Sequence, residues 1–406
     1  MLSPASSLPV IRIGIYRTSS LGDVVLATAC LDLLSSLPIA TEVIWIGRGA
    51  SLDMVSKSWP KIKVIEMSRS DSSQSLSKAL SELKNCHIFI DLQGNLRSQL
   101  LGRRLRTLYG IRYVGMPKSQ IARSRLILEA RMRGRRRPLP ASTARAWRLQ
   151  YQTMVDTLKQ ALREHLPSER WDGLEQENYR PRLPIPEDFD PPWRKELRIG
   201  MWLGIAPGAA HSTKEAPLEI FAETILETRQ NILKNWDSKT VQSYPLGLVF
   251  FGDQKDREKA HLLLDRLQWT GPVLNLAGRL SLWESAVALS ETTALLSNDS
   301  SLSHIAEAVD TPNAVLFGPT VEAFGFAPRM TQSRAFSTLT GCRPCSKHGK
   351  LACRYGDKLC FNSLDVSMIA VHIVRLLTIS HGLFLKKLTT RQSAQSSVVE
   401  SSADTH

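Results

Sequence analysis

The sequence predicts an α/β protein made of two Rossmann-like halves, each a parallel sheet with crossover helices, and three observations carry that prediction. At 406 residues the chain holds two domains' worth of sequence, because single cores seldom grow past about 250–300 residues. Short apolar runs alternate with amphipathic stretches in two separate series. Between the series lies PRLPIPEDFDPPW, Pro181–Trp193, whose five prolines suit an extended linker with few contacts.

In the first series Val10–Tyr16 reads as a strand, Val24–Leu37 as a helix, and Glu42–Ile46 and Ile88–Asp91 as further strands. The second series starts with a strand over Arg198–Ala206 and a helix near Pro217–Glu227. Strand Leu246–Phe251, helix Gln254–Leu267, strand Leu274–Leu276 and helix Leu282–Ser290 follow. Strand Ala294–Ser297, helix Ser301–Val309 and strand Asn313–Phe317 complete it. The expected domains are 1–185, containing a basic segment over 97–148, and 194–380, with a disordered Ser-rich tail over 392–406.

An apolar content of 43% with 22% charged residues excludes collagenous, wholly disordered and disulfide-scaffold chains. The formal charge of +14 is unusual, and its excess sits in one place. Between Arg97 and Arg148 there are 15 Lys and Arg residues against the lone acid Glu129, and the remainder is neutral. No run approaches the ~20 apolar residues of a membrane span. Met368–Leu385, broken by His372, Arg375 and His381, reads as a buried helix. The start lacks a secretory signal, so a cytoplasmic protein is expected. Of six cysteines, Cys30 and Cys86 sit in apolar surroundings. Cys342, Cys345, Cys353 and Cys360 cluster, but only the first pair has zinc-knuckle spacing. Reduced or locally paired cysteines in an irregular loop are expected there, with a structural zinc as the lesser alternative.

Open α/β sheets bind ligands beyond the carboxyl ends of their strands, so the loops that follow strands matter most. The first, Thr18–Asp23, offers small hydroxyls, a glycine that permits close approach and Asp23 at a helix start. It lacks a full GxGxxG pattern. The second, Ala206–Lys214, combines small residues with a lysine, which suits a diphosphate. In the third, Ser297–His304, a strand ends in Asp299 and two serines open a helix carrying His304 one turn in. The fourth, Phe317–Thr320, is a generic turn by itself.

Together these loops resemble glycosyltransferase family 9, the bacterial heptosyltransferases that build the inner core of lipopolysaccharide. The resemblance is carried by SSLGDVVLATACLDLL, by DLQGNLRS at Asp91–Ser98, by PGAAHSTKEAPLEIFAE at Pro207–Glu223, and by the long block Leu276–Thr320. It spans roughly residues 10 to 365 and implies a GT-B fold, two facing Rossmann-like domains with the active cleft between them. It further implies metal-independent, inverting transfer of a heptose from ADP-heptose, or of another sugar from its nucleotide, to a sugar hydroxyl. No cofactor is required. By position, Asp23 becomes the general base and Lys214 a catalytic cation. Gly208, Thr213, Lys214, Asp299, Ser300, Ser301 and His304 become donor-binding, with Asp299 contacting donor hydroxyls or orienting Lys214. Ser19, Ser20, Gly22, Gln93, Arg97, Arg133, Arg135 and Arg136 fall on the acceptor side. Ala209 and Ala210 stand where some relatives carry hydroxyl residues.

The stretch Arg131–Pro138 reads as a mobile loop. Inner-core acceptors are anionic glycolipids, so a cationic face suits them and the inner leaflet of the membrane. A nucleic-acid-binding protein is the reading of a different class, since clustered arginines also suit phosphate backbones. No nucleic-acid module surrounds the cluster, and no nucleic-acid partner is expected.

Overall fold

The computed structural model describes residues 10–379 except 69–71, 118–119, 136, 141–148, 164, 166–178, 199 and 350. The expected tail over 392–406 lies outside the described residues, as does Arg136.

The first half orders β1 (Ile11–Tyr16), α1 (Leu21–Ala27), α2 (Ala29–Ser36), β2 (Thr41–Gly47), α3 (Gly49–Ser58), β3 (Lys63–Glu66), α4 (Ser72–Leu83), β4 (Ile88–Asp91), α5 (Leu96–Tyr109), β5 (Arg112–Gly115), α6 (Gln120–Arg133) and α7 (Gln150–Arg163). Its five strands are parallel in the order β3-β2-β1-β4-β5. The central β1 and β4 are almost wholly buried, as parallel strands covered on both faces must be. The exposed edges β3 (KVIE) and β5 (RYVG) carry no continuous apolar run, which is why the sequence pattern missed them. The helix expected over Val24–Leu37 is interrupted at Thr28, whose hydroxyl donates to Val25 O at 2.7 Å.

The second half orders α8 (Pro192–Arg198), β6 (Met201–Ala206), α9 (Leu218–Asn235), α10 (Ser238–Ser243), β7 (Leu246–Phe250), α11 (Gln254–Leu267), β8 (Val273–Asn275), α12 (Leu282–Ser290), β9 (Ala294–Asn298), α13 (Ser301–Ala308), β10 (Asn313–Leu316), β11 (Arg334–Phe336) and α14 (Leu359–Asn362), with a final helix over 366–379. Six parallel strands run β11-β10-β9-β6-β7-β8. Asp253 and Ser281 build capping boxes that start α11 and α12 where the sequence placed them. The final helix buries Ile369, Ile373, Leu376 and Leu377 in this half's core. Among the described residues no helix is long and apolar enough to cross a membrane.

Two expectations need correction around the proline-rich stretch. The strand expected over Arg198–Ala206 begins only at Met201, and Pro192–Arg198 is helix α8, with Pro192 as the opening residue and Arg194 buried against Glu291 at 2.7 Å. Nor does Pro181–Trp193 make few contacts. The Arg182 amide donates to the Thr28 hydroxyl at 3.0 Å, the Leu183 amide to Ala308 O at 2.9 Å, and Phe189 packs edge-on to Trp283 at 4.6 Å. Proline fixes φ and keeps the chain extended, but side chains between prolines can still be buried.

A third correction concerns the basic stretch. Residues 120–133 are helical and the following turn is docked on residues 339–343. Arg133 donates to Gly341 O at 2.9 Å, and the Leu139 amide donates to Leu339 O at 2.8 Å. Guanidinium groups that find carbonyl and carboxylate partners anchor a segment instead of leaving it mobile.

Candidate active site

In each sheet the strand order reverses beside the first strand of its half, between β1 and β4 and between β6 and β9. Crevices open at such switch points, and the strand-end loops converge there. Helices α1 and α13 pack against each other across the halves. Their contact is close at Gly22: a Cβ there would lie 2.8 Å from the His304 ring, so only glycine lets the two helix starts meet.

A cavity of about 360 Å³ opens at this junction. The first half lines it with Ser20, Gly22 and Asp23; the second lines it with Lys214, Asp299, Ser300, Ser301 and His304. All eight were singled out in the sequence. The cavity also takes His211, Thr320 and Phe326, and Lys347 and His348 from the cysteine-containing loop.

Asp23 belongs to a capping box at the start of α1. Its Oδ2 accepts from the Ser20 hydroxyl at 2.6 Å and the Ser20 amide at 3.2 Å, and pairs with Arg17 Nη2 at 2.8 Å. Among the described residues Oδ1 has no hydrogen bond. Burial pushes the Asp23 carboxyl up, but Arg17, Ser20 and His304 together hold it below its ordinary value. Arg17, buried and also donating to Leu92 O, went unnoticed in the sequence. The signal was there, a lone cation one residue past β1 in a loop ending in a carboxylate. Gln93 stands behind this loop, its Oε1 accepting from the Thr18 and Ser19 amides at 3.1 and 3.2 Å, and its Nε2 donating to Ser19 Oγ at 3.3 Å. Ser19 and Gln93 therefore shape the loop rather than line the cavity.

Across the cavity Lys214 Nζ pairs with Asp299 Oδ2 at 2.6 Å, and the Thr320 hydroxyl donates to the same oxygen at 2.6 Å. This ion pair fixes Lys214 against Asp299. Burial raises the Asp299 carboxyl, yet Lys214 and Thr320 keep it below the ordinary value. Burial also lowers the His304 imidazole, with Asp299 and Asp23 opposing and Lys214 adding to the shift, so His304 is neutral near pH 7. Ser300 caps α13 without a side-chain bond to the helix, and its hydroxyl is buried without a partner among the described residues. Beside it the first-turn amides of α13 are unpaired within the helix, the arrangement that attracts anions.

Gly208 and Thr213 are not in the lining. Gly208 lies against Asp256, where a Cβ would come within 2.1 Å of the carboxylate. Thr213 Oγ donates to Gly349 O. The Ala209 amide is used internally, donating to Glu215 at 3.3 Å, while Ala210 lines the cavity. Of the residues expected on the acceptor side, Arg97 donates to Ser68 O at 2.9 Å, Arg133 grips Gly341 O, and Arg135 pairs with Asp357 and lies 3.8 Å over the Tyr355 ring. None of the three lines the cavity. Cys30 and Cys86 are buried core residues as expected. The other four cysteines form no group able to hold a metal, and none exists elsewhere among the described residues.

The profile of glycosyltransferase family 9 (heptosyltransferase) matches residues 75–355. The chain belongs to glycosyltransferase family 9. Lipopolysaccharide heptosyltransferase 2 of Salmonella typhimurium is 32% identical over 96 residues, 23% of this chain and 27% of the relative; the match thus spans about a quarter of that relative's length. The E. coli ADP-heptose lipopolysaccharide heptosyltransferase II structure covers 91% of this chain and all of its own, with 19% identity and a TM-score of 0.61. The structure of the E. coli heptosyltransferase WaaC with ADP covers 87% of this chain and 97% of its own, at 17% identity and a TM-score of 0.52. At these identities the structural likeness establishes the fold, a GT-B arrangement of two parallel-sheet halves, as the sequence predicted. Membership of the family supports a glycosyltransferase.

Proposed function

We propose that this protein transfers a heptose, with inversion, from ADP-heptose to a sugar hydroxyl of the lipopolysaccharide inner core. The observation that carries the reading is the meeting of a half-engaged carboxylate, Asp23, with a lysine and an open helix start from the opposite half around one cavity.

The chemistry follows from that opposition. The acceptor hydroxyl attacks the anomeric carbon while Asp23 Oδ1 takes its proton, and the glycosidic bond to the diphosphate breaks on the opposite face. Negative charge grows on the leaving diphosphate, where Lys214, the α13 amides and the Ser300 hydroxyl stabilise it more strongly than in the ground state. Asp299 and Thr320 hold Lys214 in place. A neutral His304 donates to or accepts from the donor without adding charge. Lys347, reaching in from the cysteine loop, adds a second cation. No metal is needed for these steps. The ADP named in the WaaC structure supports a donor of this class.

The acceptor reading needs a cationic face, and among the described residues arginines other than Arg97, Arg133 and Arg135 offer one. Arg103, Arg104 and Arg106 on α5 and Arg131 on α6 are exposed. The same helices expose Leu96, Ile121, Leu128 and Met132. Mixed cationic and apolar exposure suits a peripheral position on the anionic inner leaflet. Mass-spectrometric turnover of a panel of nucleotide sugars with truncated lipopolysaccharide acceptors tests the reading. Heptose addition with ADP-heptose alone is the expected result. Transfer of another sugar would replace the donor assignment, and no transfer to any acceptor would defeat the proposal.

A further inference from the structure

We infer that Cys342 and Cys345 form an exchangeable dithiol that closes to a disulfide with a low-molecular-weight disulfide as oxidant, and that Arg343 between them relays its state to the cavity. The inference rests on the cysteine loop's own contacts and goes beyond the transfer reaction.

The two cysteines meet in one turn, where Cys345 Sγ donates to Cys342 O at 3.4 Å. Both line a second cavity of about 360 Å³ with Cys353, Arg131, Arg354 and Tyr355, so a small disulfide has room to approach. Cys342 is partly exposed, and the Cys345 hydrogen bond with the nearby Arg135 charge brings its thiol down to about 6, against an opposing effect of burial. A partly exposed thiolate beside a resolving thiol is the arrangement that undergoes exchange.

The chemistry balances. The Cys342 thiolate attacks one sulfur of R–S–S–R, forming a mixed disulfide and expelling RS⁻. Cys345 then loses its proton to solvent and attacks Cys342 Sγ, expelling the second RS⁻. Two protein thiols are oxidised and one small disulfide is reduced to two thiols.

The relay is built into the intervening residue. Arg343 is fully buried and donates to Gly318 O at 2.5 Å, Thr338 O at 2.5 Å and Thr320 O at 2.6 Å. Thr320 holds Asp299, and Asp299 holds Lys214. The same loop meets the lysine loop directly: Gly349 O accepts from Thr213, and Lys358 Nζ donates to Ser212 O at 2.9 Å and Glu215 O at 3.0 Å. Joining the two sulfurs changes the backbone on both sides of Arg343, and three carbonyls held by one buried guanidinium must adjust with it.

The test uses the full chain, oxidised glutathione and dithiothreitol. At neutral pH, iodoacetamide should label Cys342 about tenfold faster than Cys353 in the reduced protein. Oxidised glutathione should remove two hydrogens from the intact mass, and peptide mapping should locate the link at Cys342–Cys345. Amide hydrogen exchange over residues 318–322 and 209–215 should then rise about threefold and return on reduction. Cys342→Ser and Cys345→Ser should abolish the mass change, whereas Cys353→Ser should retain it. A glutathione adduct that persists on Cys342, a link through Cys353 or Cys360, or unchanged exchange over 318–322 would each overturn the inference. So would a stoichiometric metal found on these cysteines by elemental analysis. None of these readouts requires sugar transfer, so they stand or fall apart from the proposed function.

Discussion

On the N-terminal wall of the cleft a single carboxylate is held through one of its two oxygens, whereas on the C-terminal wall Lys214 and Asp299 are locked to each other and to Thr320. The first wall is local: Ser20 and Asp23 come from one capping box, with Arg17 three residues before it. The second gathers residues from the ends of β6, β9 and β10. A base needs one oxygen left over and a conformation that nearby chain can fix. A cation that must face a leaving diphosphate needs a rigid counter-charge, which distant strands supply by converging.

The sharpest test of that division is Asp23→Asn, which keeps shape and removes the proposed proton acceptor. Turnover should fall by about 10²–10⁴-fold with ADP affinity unchanged by calorimetry. Near-normal turnover would erase the difference between the walls. Lys214→Ala should lower kcat by about 10²–10³-fold and, like Asp23→Asn, which leaves the buried Arg17 without its carboxylate, should destabilise the fold. It leaves Asp299 buried without its partner, a loss of about 3–5 kcal/mol, readable in a urea melt. Adding Asp299→Asn to Lys214→Ala should recover stability but not turnover.

Titration sharpens the comparison further. Asp23 and Asp299 both have folded values below their ordinary ones. Each therefore contributes stability that is fully present above the unfolded aspartate value and lost as pH falls through the folded value. Asp299→Asn should flatten that acid limb in pH-dependent melts. His304 is held below its ordinary value, so any acid limb it gives kcat/KM should lie below that of a free histidine.

The smallest effects separate two sets of arginines. Arg103, Arg104 and Arg106 changed together to Gln should weaken binding to anionic vesicles, by about fivefold per residue, and leave the melt unchanged. Arg133→Gln should do the reverse, losing about 1–3 kcal/mol because Gly341 O is left unpaired while vesicle binding is retained. A vesicle defect in Arg133→Gln would restore the acceptor-side role first expected of it.

The central strands and helices α9, α11, α12 and α13 were legible because buried parallel strands are continuous apolar runs and capping residues mark helix starts. The exposed edges β3 and β5 were not, since nothing apolar distinguishes them. Among the residues that line the cavity, Asp23, Lys214, Asp299, Ser300, Ser301 and His304 were singled out because each follows a strand or opens a helix. Arg17, Thr320 and Lys347 were missed because their meaning lies in what they touch.

The sequence by itself determined the two α/β halves, their strand-end loops and the family, because these depend on local periodicity and on motifs contiguous in the chain. The tertiary structure decided which charges are free. It spent Arg133 and Arg135 on carbonyl and carboxylate partners, set Asp299 to hold Lys214, and brought Lys347 into the cavity. A charged side chain acts through the partner it finds, and those partners lie far away along the chain.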